Sequence, residues 1–254
     1  YLSLLECQRW INDNILSALS PHACATGYVT GRSIRDHASP HVDAGFVLTI
    51  DLENFFPTIS FSRVISIFRG LGYSGQVSTS LAKLCCLDNV LPQGAPTSPS
   101  LSNIVCKRLD EKLERFAIES GLRYTRYVDD MCFSGGEIKK HTLDEIEKIV
   151  SSEGFRTNKS KTHLHAPRSN IKMYRGVNGA LGKMSLPKSY KRAISTDLFH
   201  IEKYGLRSHL AKRKIRDPNY IEALVGKVGY WLFIEPENKR AQHYKQVLAQ
   251  FVNI

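Results

Sequence analysis

The sequence has no apolar run long enough to cross a bilayer, and no basic-then-apolar leader at its start. The expectation is therefore a protein with no membrane association. Internal repeats and low-complexity tracts are also missing, so a solenoid or a disordered linker does not organise the chain. Its six cysteines, at positions 7, 24, 85, 86, 106 and 132, form no C-x-x-C pair and have no zinc-type spacing with the nine histidines. Most of them stand in apolar surroundings, where cysteine acts as a small core residue. Reduced thiols in a cytoplasmic protein are the reading that fits.

What is present is ordinary in bulk and uneven in detail. At 254 residues, 42% hydrophobic and 23% charged, the chain can bury a substantial core as one body with sub-domains. The net charge of +11 is concentrated: residues 171–254 carry 16 Lys+Arg against 6 Asp+Glu, whereas residues 1–170 are nearly neutral. A basic C-terminal third suits a polyanion, although a merely solvated basic face would have the same composition.

YLSLLECQRWINDNIL at the N-terminus reads as an amphipathic helix entered midway. Residues 46–50 (FVLTI) are a β-rich apolar run that puts Asp51 at a strand end. After Pro57, Ser60–Arg69 resumes at helical spacing through Phe61, Val64, Ile65 and Phe68. Residues 91–100 (LPQGAPTSPS), with three prolines and a glycine, are expected to be irregular. Apolar positions 101, 104, 105, 109, 113 and 116 then predict a helix. Tyr124–Val128 and Met131–Ser134 predict a hairpin with an acidic tip at Asp129 and Asp130. Thr142 with Glu145 predicts a capping box, and Gly154 the end of that helix. A strand near 155–165, an irregular stretch over 166–188 and helices to the end complete an α+β core with a helical appendage.

Two adjacent carboxylates at a hairpin tip repel each other, and turn chemistry alone favours Asn-Gly or Asp-Gly there. A divalent cation removes the repulsion. Magnesium takes a few carboxylates and completes its shell with water and substrate phosphates, so Asp51 beside Asp129 and Asp130 makes a candidate site. Read as a dipeptide alone, Asp-Asp is equally at home in a surface turn.

The blocks TIDLENFFPTI, LPQGAPTSPSLSN, RYVDDMCF and GFRTNKSKT occur in this order, and together they resemble the palm motifs of reverse transcriptases. The resemblance implies an α+β right-hand polymerase fold. Residues 1–170 would form fingers and palm, and residues 171–254 a basic, mainly helical thumb. It implies two Mg²⁺ ions on Asp51, Asp129 and Asp130, and a lysine near the leaving phosphate, here Lys161, which precedes the threonine as the family pattern requires, in preference to its neighbour Lys159. Phe56, five positions after Asp51, matches the bulky residue that excludes a ribose 2′-hydroxyl and so implies DNA synthesis. Gln93 and Gly94 match the loop against the incoming nucleotide, whose glycine permits close backbone approach.

GYVTGRSIRDHASPHV resembles the segment that retron reverse transcriptases carry upstream of the first catalytic block. It offers Arg32 as a candidate grip on the triphosphate, with His37 where the family pattern has Asn. The family's Val-Thr-Gly triplet is matched by Tyr174-Arg175-Gly176, in which only the glycine agrees. With Arg175, the thumb residues Lys183, Lys188, Lys191, Arg192, Lys212, Arg213 and Lys214 suit phosphate contacts with RNA. Aromatics at helical spacing over Val228–Ile234 are expected in the core, Trp231 above all. A finger strand that usually precedes Leu4 in this family is not found here. The resemblance implies dNTPs as substrates, a cognate structured RNA and an RNA–DNA hybrid product. It also implies a role in antiphage defence beside a separate effector protein. Alternatives are an intron-type or abortive-infection reverse transcriptase, or a non-catalytic RNA-binding scaffold.

Overall fold

In the computed structural model, residues 2–139, 141–165, 171–172, 178–180 and 183–251 are described. The chain divides into two compact units, Tyr1–Ser169 and Asn170–Ile254.

The first unit is α+β. Helices α1 (Leu2–Asn14) and α2 (Ile34–Ala38) precede strand β1 (Phe46–Asp51). Four helices follow β1: α3 (Phe55–Thr58), α4 (Phe61–Gly70), α5 (Gly75–Cys85) and α6 (Ser98–Val105). Helix α7 (Lys107–Glu119) then leads into the hairpin β2 (Arg123–Tyr127) and β3 (Asp130–Gly135), and α8 (Thr142–Ser152) precedes β4 (His163–His165). The antiparallel sheet has the order β2-β3-β1-β4. The core packs apolar residues of the strands, such as Leu48, Ile50, Met131 and Phe133, with helix residues that include Val64, Phe68, Leu101, Leu109, Leu113 and Ile146. Burying each such side chain contributes roughly 1.5–3 kcal/mol.

The second unit holds a small antiparallel sheet, β5 (Ile171–Lys172), β6 (Asn178–Ala180) and β7 (Lys183–Ser185). Four helices follow: α9 (Lys188–Tyr204), α10 (Leu206–Arg213), α11 (Tyr220–Ile234) and α12 (Lys239–Ala249). Its buried positions recur at helical spacing, with Ile194, Leu198 and Ile201 on α9 and Leu224, Val228, Trp231 and Ile234 on α11. Trp231 is buried, as the aromatic pattern predicts, whereas Tyr230 is half-buried and Phe233, against that expectation, is exposed.

Four local expectations are corrected. Residues 98–100 are helical, because Pro99 sits in the first turn of α6, where its missing N–H costs nothing. The stripe from Leu101 belongs to two helices, which meet at Cys106. Thr142 makes no capping box: it is the first helical residue, its side chain is buried, and His141 takes the cap position without a side-chain bond. Strands β5–β7 occupy part of the stretch expected to be irregular. At two or three residues each, they are too short to show alternation.

All six cysteines are free thiols. Burial pushes Cys106 up to about 12 and Cys85 up to about 11. No helix among the described residues is long and apolar enough to cross a membrane.

Candidate active site

The strand register brings the acidic residues together. Asp51, the last residue of β1, lies opposite Asp130, the first of β3, while Tyr127 faces Asp130 from β2. The hairpin tip is therefore Val128-Asp129 and not the Asp-Asp pair: Asp130 is already in the ladder. Asp129 accepts from Leu52 N at 3.0 Å through its carbonyl, which ties the turn to the end of β1. Asp51 is buried, and its carbonyl accepts from Asn158 N at 2.8 Å.

That last bond sets the lysine. Asn158 caps the short 3₁₀ turn Lys159–Lys161 by accepting from Ser160 N. At the end of this turn the Lys161 ammonium donates to Asp51 Oδ2 at 3.1 Å. The hydrogen bond, and then the negative charge of Asp51, raise Lys161 above the usual lysine range. Lys159 instead lines a cleft with Glu53, Arg156 and Asn158.

Among the described residues, no three His, Cys, Asp or Glu side chains converge closely enough to hold an ion unaided. Magnesium requires less, since it is usually bound by one or two carboxylates together with water and substrate phosphate oxygens. The hard oxygens of Asp51, Asp129 and Asp130 fit that donor chemistry.

Phe56 sits on α3, which is entered through Asn54 in the left-handed region (φ 46°), a conformation Asn tolerates. Phe55 goes into the core and stacks near Phe155. Phe56 is half-buried, its ring set edge-on to Phe55 at 5.3 Å. The Gln93-Gly94 loop begins beside this element: Leu91 N donates to Ile59 O at 3.0 Å. Gln93 and Gly94 are both exposed, and Gly94 has φ 95°, which favours glycine. Arg32 is exposed on the approach to α2 and lies 3.9 Å from Asp36 on the same helix, not at the carboxylates.

His37, the departure from the family pattern, is part of a buried network. His37 Nδ1 and His41 Nε2 each lie 2.8 Å from the Thr125 hydroxyl, and His41 Nδ1 lies 2.6 Å from Ser134 Oγ. Burial, with the charge of Arg126 in addition, pushes His37 down to about 3. Burial, His37 and Arg123 do the same to His41. Both rings are neutral in the fold and titrate near 6.5 when unfolded, so the unfolded chain binds more protons between these values. Their contribution to stability is complete above about pH 6.5. It falls by about 1.4 kcal/mol per histidine per pH unit as the pH drops toward 3. Thermal unfolding between pH 7 and pH 5 should show this slope, and His37→Asn should remove one histidine's share. An unchanged slope in that variant would rule out the assignment.

In the second unit, Lys188, Arg192 and Arg240 line a cleft of about 630 Å³ together with Lys191, Phe199 and Tyr244. Lys191 is held by Glu235 at 2.9 Å, and Arg213 by Asp197. Among the described residues Lys183, Lys188, Arg192, Lys212, Lys214 and Arg240 form no ion pair. Arg175 and its triplet lie outside the described residues.

Sequence reasoning missed Arg240 in this cleft. It also missed the wholly buried pair Arg126 and Asp110 behind the hairpin, where Arg126 donates to both carboxylate oxygens at 2.8 and 2.6 Å. A signal was available: alternation along the expected strand Tyr124–Val128 puts Arg126 on one face between Tyr124 and Val128, and an arginine between two apolar neighbours needs a buried acid.

The family model described as reverse transcriptase (RNA-dependent DNA polymerase) matches residues 5–215. The retron Ec86 reverse transcriptase of Escherichia coli is 39% identical over 200 residues, 78% of this chain and 62% of that protein. The retron Ec83 reverse transcriptase of Escherichia coli is 36% identical over 226 residues, 81% of this chain and 68% of that protein. The retron Mx162 reverse transcriptase of Myxococcus xanthus is 29% identical over 268 residues, 94% of this chain and 54% of that protein. The chain thus spans less than two thirds of the length of the Ec86 and Mx162 proteins. With the family match running through β1, the acidic hairpin and the lysine turn, the chain belongs to the retron-type reverse transcriptases.

Proposed function

We propose that this chain copies part of a cognate structured RNA into DNA, as an RNA-directed DNA polymerase acting by nucleotidyl transfer. The observation that carries this reading is the register of β1 against β3. It sets Asp51 opposite Asp130, with Asp129 in the adjoining turn and the Lys161 ammonium on Asp51. Asp51, Asp129 and Asp130 would hold Mg²⁺, two ions in the reading favoured here. When bound, the metal supplies activation of a primer hydroxyl and charge neutralisation at the leaving pyrophosphate. Lys161 offers a positive charge and a proton donor at the same edge. Phe56, on its short helix, would close the space of a 2′-hydroxyl, and the Gln93-Gly94 loop would lie along the nucleotide. Arg32 would reach the triphosphate once released from its long contact with Asp36.

Residues 1–170 act as fingers and palm in this reading, and 171–254 as a thumb that takes the RNA and the hybrid product. The primer would be a 2′-hydroxyl of a guanosine in the same RNA. The setting would be the bacterial cytoplasm, in antiphage defence with a separate effector protein. Primer extension on a poly-A template with dTTP and Mg²⁺ tests the reading. Incorporation supports it, while RNA binding without incorporation by the purified protein rejects it in favour of a scaffold.

The cleft of Lys188, Arg192 and Arg240 gives the thumb a local test. Three cations with no carboxylate partner among the described residues favour phosphate, and each phosphate neutralised contributes roughly 0.7–0.9 to the slope of log affinity against log salt. Reversing all three to Glu should weaken RNA binding at least about tenfold at low salt and flatten that slope by about 2. Equal slopes in filter binding would place the RNA elsewhere.

A further inference from the structure

The turn that carries Asp129 is one that its residues do not favour. Val128 has φ 62°. That region is uncommon for any side chain and a marked outlier for a β-branched one. Such strain persists only where the surroundings over-determine it.

Here the surroundings are specific. Arg126 NH1 donates to the Val128 carbonyl at 2.8 Å and to Asn103 Oδ1 at 3.1 Å. The other edge of the guanidinium makes the two-bond pair with Asp110 on α7, and Tyr124 OH donates to the same carboxylate at 2.9 Å. Asn103 on α6 donates in turn to Gly27 O at 2.9 Å. Gly27 closes the circuit: a Cβ there would stand 2.7 Å from Val128 Cγ2 and 2.8 Å from Val128 N. The Arg126 backbone is pinned as well, its N–H donating to Cys24 O and its carbonyl accepting from Thr26 N.

A fully buried ion pair is a poor way to gain stability, because desolvation offsets most of the attraction and apolar residues of similar volume often do as well. What apolar residues cannot supply is a donor to the Val128 carbonyl. We propose that Arg126, clamped by Asp110, is a positioning residue for catalysis. It acts through the Val128 carbonyl to hold the strained turn, and through the turn to hold Asp129 and Asp130 against Asp51. The proposal rests on the polymerase reading for its consequence, though not for its geometry.

Arg126→Lys keeps the charge but cannot bond Asp110, Asn103 and the Val128 carbonyl at once. The expected result is a folded protein with RNA affinity and KM for dTTP changed by no more than a few-fold. Its kcat in primer extension should fall by about 10²-fold, the scale of a 1 Å misplacement, and half-saturation by Mg²⁺ should move to higher concentration. Gly27→Ala leaves the ion pair intact and pushes directly on Val128. It should give the same split, and it carries the test if Arg126→Lys does not fold. Mn²⁺ affinity, read by electron paramagnetic resonance, reports the carboxylate geometry without turnover. If wild type binds Mn²⁺ but extends no primer, the polymerase reading falls, and weaker Mn²⁺ binding in either variant still upholds the positioning role. The proposal is overturned if the folded variants keep wild-type kcat and metal dependence. It is equally overturned if their loss of kcat tracks the unfolded fraction and is recovered on stabilisation with an osmolyte.

Discussion

Replacing Asp129 and Asp130 together by Ala is expected to reduce primer extension by at least about 10³-fold, the scale seen when a charge-stabilising group is removed from an active site. RNA affinity should stay within about twofold, because the cations assigned to RNA lie in the other unit. Stability is expected to change little. Asp51 and Asp130 are register partners across the ladder, with Asp129 adjacent, and like charges facing each other on a sheet destabilise it. Set against that relief is the lost attraction of Asp129 and Asp130 for the Lys161 ammonium, so without added metal the double variant should unfold close to the wild-type temperature. Calorimetry on the metal-free proteins checks this, and a markedly lower Tm would mean that the aspartates hold the fold together. A double variant that still extends primers would remove the metal assignment. Adding Mg²⁺ should raise the Tm of wild type and leave that of the variant unchanged, since a ligand stabilises only the state it binds.

The parts of this site written into contiguous residues were legible in the sequence. FVLTI followed by Asp51 gave β1, and the two β-rich runs gave the hairpin. What escaped was set by distant contacts. Asp129-Asp130 reads as a tip, yet the pairing of Tyr127 with Asp130 moves the tip back to Val128-Asp129, because local preference argues against valine in a left-handed turn. Asp110 lies on the same buried face of α7 as Leu113 and Ala117, but its meaning depends on Arg126, 16 residues later in the chain. Lys161 and Lys159 could not be separated by composition, since both are exposed lysines in NKSKTH. The Asn158-capped 3₁₀ turn turns Lys161 onto Asp51. His37 is a departure from a motif when read in sequence. In the fold it shares a buried hydroxyl with His41, a partner four residues away whose role no spacing rule indicates.

Phe56→Ala is expected to loosen sugar selection, raising ribonucleotide relative to deoxyribonucleotide incorporation by about 10²-fold, the range over which pocket shape discriminates a single hydroxyl. Such selection depends on how rigidly the ring is held. Asn54 in the left-handed region starts a helix too short to stand alone, and Phe55, buried and stacked near Phe155, anchors it. Phe56 follows, half-buried, with its ring set edge-on to Phe55. A half-buried ring loses less on truncation than the 3–5 kcal/mol typical of a fully buried Phe; roughly 1–2 kcal/mol is expected for Phe56. Phe55→Ala is the matching control: it should cost about 3–5 kcal/mol while leaving selection between dUTP and UTP, which differ only in the 2′-hydroxyl, intact. Single-nucleotide extension with each nucleotide, alongside denaturant unfolding of both variants, separates the two roles. If Phe56→Ala extends normally with unchanged preference, the ring is a packing residue and the inference to DNA synthesis loses its physical basis. If Phe55→Ala alters the preference as strongly, selection belongs to the short helix as a whole and not to the ring at position 56.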